Sequence, residues 1–236
     1  LPICIERWVG APRMSALSRH LATGLDLRSE HAVTGIEDDP AGWYIVAAGR
    51  RQGPFDRVVL AMPAPQAAAL LATPAPSLAT ALGARPMHGC WAAALAVERP
   101  GPAFDAAFVD DTVLRWVARD AAKPGRPDGD TWVAHATAEW SDRWLEAGAG
   151  EVLPALVGAF RAATGHDGPV SGLLAHRWRY ARADGGAGAP FFHDAQRGLA
   201  ACGDWCSDSR VESAWISGDR LGAALAAPTP GGPQDR

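Results

Sequence analysis

A glycine–aspartate pair, Gly203-Asp204, is the first feature of this sequence that could do chemistry. It ends the apolar stretch GLAACGD, which predicts a strand, and a helix is predicted to begin soon afterwards at Val211. A carboxylate at the end of a strand can accept hydrogen bonds from ligand hydroxyls. The free N–H groups at the start of a helix favour a carbonyl or anionic oxygen. The segment therefore suits a ligand that carries both hydroxyls and a polar ring edge.

The helix that follows carries mostly small apolar residues on one predicted face. These residues recur near the helical period: Val211, Ala214, Trp215, Gly218, Leu221, Gly222 and Leu225. Small residues allow close approach of another helix, a sheet or a flat cofactor. A flavin nucleotide has the hydroxyls and the polar ring edge that the segment suits. Packing of the helix on a sheet explains the same pattern equally well.

Other polar residues have alternative interpretations. Residues 176–179 (HRWR) could bind an anionic substrate such as a nucleotide phosphate, or they could face solvent on an alternating strand. His135, in WVAHAT, is interpreted as a strand histidine. Cys202 and Cys206 have no second cysteine pair and no paired histidines beside them, so no metal site is predicted.

Composition bounds the class of protein. The 236 residues are 48% apolar and 20% charged, which is typical of a globular protein. The ten tryptophans indicate a large core, and the alternative is that some of them line a cavity. A net charge of −4 argues against nucleic-acid binding. No apolar run is long enough to predict a membrane span. Four cysteines are too few for a disulfide scaffold, which favours reduced thiols and a cytoplasmic location.

The order of predicted elements indicates an α/β fold with an insertion. Residues 1–83 predict a helix, several strands and a short helix that Pro63 opens, and VVLAM is predicted to be a strand buried on both faces. Residues 84–180 predict antiparallel strands and a strong helix, EVLPALVGAFRAATG. Residues 181–226 return to a strand and a helix, and residues 227–236 predict a disordered tail. We therefore expect a nucleotide-binding domain, 1–83 with 181–226, interrupted by a substrate domain.

Several segments in this order resemble the amine-oxidase-like FAD oxidoreductases, and the renalase-like branch in particular. They are RWVGAPRMSALSRHLA, HAVTGIED, FDRVVLAMPAPQAAALL, HRWRYARA and GDWCSDSRVESAWISGDRLGAAL, which together span the chain up to about residue 226. The resemblance implies a Rossmann-like FAD-binding domain with an inserted α+β domain. It implies hydride transfer from a reduced nitrogen-containing or dihydronicotinamide-type small molecule to flavin N5, with oxygen as acceptor.

The resemblance also assigns residues. Val33 is expected at the adenine, Gly203 and Asp204 at the pyrophosphate and ribityl chain, and the Val211 N–H at a flavin carbonyl. Trp178 and Tyr180 are expected to flank the isoalloxazine cavity, and no residue is assigned as acid or base. The remaining residues implied to lie at the cofactor are Gly10, Met14, Ala61, Met62, Pro63, Arg210 and Glu212.

The sequence departs from the family pattern at its start. No G-x-G-x-x-G turn between a strand and a helix is found, and LPICIERWVG reads like the interior of a protein, so we expect a C-terminal portion that lacks this unit. The only lysine is Lys123, in a polar loop, so the flavin-side lysine of many amine oxidases is not assigned. One alternative is a non-catalytic binding fragment that has lost FAD. A weaker one is a nicotinamide-dependent dehydrogenase without flavin.

Overall fold

The structure is a computed structural model that describes residues 8–98, 101–185 and 188–227. The chain forms two compact units. The first contains the described residues up to Ser29 and Gly89–Arg179, and the second contains Glu30–His88 and the described residues from Tyr180 onward. The predicted domain boundaries stay predictions, and the sequence did not indicate that the segment up to Ser29 groups with the middle of the chain. Except for Ala227, the predicted tail lies outside the described residues.

The first unit contains most of a five-stranded sheet, of which residues 87–88 and 180–183 belong to the second unit. Its strands are β5 (Met87–Val97), β6 (Ala106–Phe108), β7 (Leu114–Arg119), β8 (Thr131–Ala136) and β9 (Val170–Ala183), in the order β6-β7-β8-β5-β9. The pairs β6–β7, β7–β8 and β5–β8 are antiparallel. The unit also holds helices α1 (Ser15–Leu21), α4 (Ala138–Arg143) and α5 (Ala149–Thr164). The antiparallel strands and the helix predicted for this region are confirmed.

Side-chain alternation gives this sheet one covered face. Along β5, Trp91, Ala93, Leu95 and Val97 are buried and alternate with half-buried residues. The buried residues pack with Val152, Leu156 and Phe160, which recur on one side of α5. The opposite face carries the intervening residues of the strands.

The second unit contains two three-stranded sheets. Strands β1 (Val33–Asp39), β2 (Gly42–Ala47) and β3 (Arg50–Phe55) form an antiparallel sheet. In the other sheet, β11 (Leu199–Ala201) lies between β10 (Phe192–Asp194), which is antiparallel to it, and β4 (Val58–Leu60), which is parallel. Helices α2 (Ala64–Leu71), α3 (Pro76–Gly83) and α6 (Val211–Ala226) complete the unit.

Two local predictions in the second unit are wrong. The segment GRRQGP, predicted as a turn, forms most of β3. The reversal occurs earlier, at Ala48 and Gly49, which both adopt the left-handed conformation that suits a two-residue hairpin turn. Strand β4 is not buried on both faces, because Val59 is 43% exposed while Leu60 is buried.

Among residues 8–98, 101–185 and 188–227, none of the helices combines the length and apolar character that crossing a membrane requires.

Candidate functional site

The ends of two parallel strands bring two predicted cofactor segments together. Strands β4 and β11 run in parallel, with Leu60 opposite Ala201. The Cys202 N–H donates to the Leu60 carbonyl at 3.2 Å, which continues the pairing past the strand end. Because parallel strands present their carboxyl ends at the same edge, Ala61 and Met62 lie beside Cys202 and Gly203. This edge is where ligands bind in open α/β sheets.

Trp205 joins the two strand ends. Its indole Nε1 donates to the Met62 carbonyl at 3.0 Å, and its ring stacks on Phe192 with 5.7 Å between centroids. The side chain is almost fully buried. A Cβ added to Gly203 would lie 2.3 Å from this indole nitrogen, so no larger residue fits at position 203 without moving the ring. The glycine of the Gly-Asp pair is therefore required by the contact with Trp205.

Asp204 opens the short 3-10 turn that follows the strand end. Its Oδ1 accepts a hydrogen bond from the Trp205 N–H at 2.9 Å. Burial raises the pKa of this carboxyl above its usual value, and the hydrogen bonds from neighbouring backbone N–H groups only partly oppose that effect. A half-buried carboxylate that is incompletely compensated gains from a further donor such as a ligand hydroxyl.

Helix α6 begins shortly after Asp204 with an uncapped first turn. Its N-cap residue is Arg210, whose side chain makes no capping hydrogen bond to the N–H groups of that turn. Val211 and Glu212 are exposed, and Val211 is 63% accessible. A helix start without a capping side chain presents free donors and the positive end of the helix dipole.

The buried face of α6 differs from the predicted one. Ser213, Ser217 and Leu221 are buried, whereas Trp215 is 56% exposed. The serines are buried because their hydroxyls are paired. Ser213 Oγ donates to the Asp208 carboxylate, and Ser217 Oγ accepts from the Gly203 N–H at 3.1 Å. Of the predicted face, Leu221 is buried and Gly218 and Leu225 are partly buried, so most of the small-residue stripe faces outward.

The remaining predicted residues are distributed over both units. Pro63 is the N-cap residue of α2, and Val33 is the first residue of β1 in the other sheet of the second unit. Tyr180 also belongs to the second unit. Three belong to the first unit: Gly10, Met14 and Trp178. The assignment of all predicted residues to a cofactor stays a prediction.

Sequence reasoning missed the residues that hold the strand ends and α6 together. Ser217 links Gly203 to the loop before β10, because its hydroxyl also donates to the Pro190 carbonyl at 2.6 Å. Ser209 Oγ accepts from the Ala183 N–H at 2.7 Å. The available signal was the pair Ser213 and Ser217, four residues apart, since two hydroxyls on one side of a helix indicate a face that hydrogen-bonds.

The residues at this edge fit a flavin nucleotide on the chemistry of their donors and acceptors. The Asp204 carboxylate offers an acceptor, and the first turn of α6 offers N–H donors that its N-cap residue does not cap. Arg85 lies 5.6 Å from the centre of the Phe192 ring, and its Nε is buried without a hydrogen-bond partner among the described residues. An acceptor for hydroxyls, donors for carbonyl oxygens and a cation with an unused donor match the groups of such a ligand.

Three solved structures share the fold. One is a proposed protoporphyrinogen oxidase from Exiguobacterium sp. 255-15, with a TM-score of 0.64 and 14% sequence identity over 90% of this chain and 51% of that one. Another is an oxidoreductase from Methanosarcina mazei, with a TM-score of 0.57 and 15% identity over 82% of this chain and 49% of that one. The third is a CLA-producing fatty acid isomerase from P. acnes, with a TM-score of 0.65 and 14% identity over 90% of this chain and 52% of that one. This chain therefore spans about half the length of these proteins.

The sequence profile of the flavin containing amine oxidoreductases matches residues 7–225, which is nearly the whole chain. This match confirms the flavin cofactor and the broad family predicted from the sequence. The narrower resemblance to the renalase-like branch stays a prediction. The chain belongs to the family of flavin-containing amine oxidoreductases.

Proposed function

We propose that this chain is part of a FAD-dependent oxidoreductase of the renalase-like type. The substrate is a reduced nitrogen-containing or dihydronicotinamide-type small molecule, which loses a hydride to flavin N5, and oxygen is the final two-electron acceptor. The observation that carries the proposal is the common edge of β4 and β11, where the Asp204 carboxyl lies in the turn that leads to the uncapped start of α6.

Each residue at the edge has a defined task in this proposal. Asp204 accepts hydrogen bonds from ribityl hydroxyls and so fixes the position of the cofactor along the sheet edge. The Val211 N–H donates to a carbonyl on the pyrimidine edge of the ring, where the helix dipole stabilises negative charge. Trp205 and Ser217 act through the backbone, because they hold Met62 and Gly203 in place.

When bound, FAD supplies the hydride acceptor and carries the redox chemistry. The protein contributes binding, orientation and the exclusion of water. No acid or base is assigned, because removal of a hydride from carbon next to nitrogen is assisted by the nitrogen lone pair of the substrate.

FAD titration tests the proposal. We would titrate FAD into the 236-residue chain and into a version that includes any residues encoded upstream of Leu1, following flavin fluorescence. Saturable binding in at least one version supports the proposal. Binding in neither version refutes it and favours a non-catalytic binding fragment.

Asp204→Ala tests the assignment of the site in whichever version binds. Loss of a charge-assisted hydrogen bond should weaken FAD binding by about 1–3 kcal/mol. Asp219→Ala is the matched control, because Asp219 is an exposed aspartate on α6. Equal affinities in the two variants would remove Asp204 from the site.

Substrate class is tested by peroxide release from the FAD-loaded protein. Dihydronicotinamide nucleotides and simple amines would be supplied separately under air. Peroxide formation with reduced nicotinamides supports the renalase-like assignment. Turnover of amines alone would refute that assignment and retain the family-level reaction.

A further inference from the structure

The loop between β7 and β8 brings two cationic side chains to one carboxylate oxygen of Asp120. Asp120 Oδ1 accepts from Lys123 Nζ at 3.1 Å and from Arg126 Nε at 3.3 Å. Burial acts to raise the pKa of Asp120, but the hydrogen bonds and charges of Lys123 and Arg126 together lower it below its usual value. Asp120 is therefore ionised at neutral pH, and the cluster holds two positive charges against one negative charge.

The excess positive charge is partly withdrawn from water. The Arg126 side chain is only 8% exposed, and its Nη1 is buried without a hydrogen-bond partner among the described residues. Lys123, the only lysine of the chain, is 24% exposed. A buried guanidinium with an unused donor is costly unless a further anion or acceptor pairs with it.

The cluster lies close to the sheet face that α5 does not cover. His135, which alternates with the buried Ala134 and Ala136 on β8, is half-buried on that face and pairs with Trp116 of β7. Burial and then the charge of Lys123 lower the pKa of His135. The 3-10 turn Asp120–Ala122, which directly precedes Lys123, packs against β8, the strand that carries His135. Within the described part of the chain, the imidazole of His135 makes no side-chain hydrogen bond, although its backbone pairs within the sheet. A neutral imidazole, an indole and a cationic pair thus lie together within the first unit.

We propose that Lys123 and Arg126 form an anion-binding site that takes a carboxylate group of the substrate beside His135. Within the proposed function, the substrate that fits this site is a reduced nitrogen-containing molecule that also carries a carboxylate. Naming the ligand a substrate rests on that function, whereas the site itself is built from this unit alone. A carboxylate is favoured over phosphate because the surplus is a single positive charge. A planar guanidinium and a neighbouring ammonium also suit the two oxygens of a planar anion.

Calorimetric titration of the 236-residue chain without flavin tests the site, using butyrate, inorganic phosphate and chloride at constant ionic strength. We expect saturable binding of butyrate that is tighter than that of phosphate or chloride. Arg126→Gln and Lys123→Gln should each weaken it by about tenfold or more, since each removes a charged hydrogen-bond donor. Arg143→Gln, which removes an exposed arginine of the same unit, should leave it unchanged.

Asp120→Asn separates a ligand site from a cluster that only stabilises the loop. Removing the competing carboxylate raises the surplus charge from one to two, so butyrate should bind more tightly. A cluster that only stabilises the loop would bind no butyrate in either protein. This variant and Lys123→Gln keep the test available if Arg126→Gln does not fold.

Three results would overturn the proposal: no saturable butyrate binding by the folded chain, equal weakening in Arg143→Gln, or a preference for phosphate. Because this titration uses no FAD, its failure is distinguishable from failure of FAD binding.

Discussion

Replacing Ser217 by alanine should loosen the edge where β11 meets α6. The hydroxyl accepts from the Gly203 N–H at 3.1 Å and donates to the Pro190 carbonyl at 2.6 Å, and the residue is only 2% exposed. The substitution removes both hydrogen bonds and leaves a cavity no larger than one oxygen atom. It therefore reports on hydrogen bonding rather than on packing.

The magnitude follows from the two bonds. Each intramolecular hydrogen bond contributes about 0.5–1.5 kcal/mol, so their loss costs about 1–3 kcal/mol. Alanine has the higher helix propensity, which returns about 0.5 kcal/mol. Ser217→Ala should then lower the free energy of unfolding by about 0.5–2.5 kcal/mol. It should also weaken FAD binding, because Gly203 loses its connection to the helix.

Urea denaturation of wild type, Ser217→Ala and Ser207→Ala measures this effect. Ser207 is exposed, and its replacement should change the unfolding free energy by less than about 0.5 kcal/mol. If the two variants were equally stable and bound FAD equally well, Ser217 would not be the residue that fixes the strand end to the helix.

Three further predictions concern charge and backbone conformation. Asp204→Asn should stabilise the flavin-free chain at pH 7, because the raised pKa of Asp204 means that its ionisation opposes folding. The urea denaturation curves of the variant and of wild type should converge below about pH 4, where Asp204 is protonated in both the folded and the unfolded state. Gly165→Ala should lower the free energy of unfolding by about 1–2 kcal/mol, because Gly165 at the end of α5 has a left-handed φ of 66°. Gly158→Ala, inside α5, should raise the free energy of unfolding by about 0.5–1 kcal/mol. Melting temperatures that moved in the same direction in both variants would contradict this reasoning. Arg51→Gln should lower the free energy of unfolding by removing ion pairs to Glu37 and Asp39. The pKa of Asp39 is lowered by a backbone N–H and then by Arg51, so the stability difference between the variant and wild type should shrink as pH falls through that lowered pKa. A stability difference that stays undiminished at low pH would argue against the ion pair.

Strong periodicity made parts of the fold predictable. Helix α5 was expected from the spacing of Val152, Leu156 and Phe160 and from Gly165 at its end, and both features are present. Strand β5 was expected from its apolar run. Strand β3 was not expected, because RRQGPF lacks apolar alternation, and its pairing depends on the hairpin turn and on cross-strand contacts such as Arg51 with Glu37.

The candidate site was predictable only in outline. A Gly-Asp pair after an apolar strand and before a helix could be read directly, because strand ends and helix starts have local signals. The orientation of α6 could not, since helical periodicity favoured the small apolar residues over Ser213 and Ser217. Hydroxyls that pair with backbone groups are buried at little cost, and the partners of Ser217 are distant in sequence.

The sequence by itself determined the local elements and the chemical types of the groups that could contact a cofactor. Only the tertiary structure decided which groups share an edge, that Trp205 joins Met62 to the end of β11, and that Lys123 and Arg126 converge on one oxygen of Asp120. The physical reason is the sequence separation of the residues that interact. Helical and strand periodicities arise from neighbours within a few residues, whereas strand pairing, hydroxyl partners and the burial of charge depend on segments that meet only after folding.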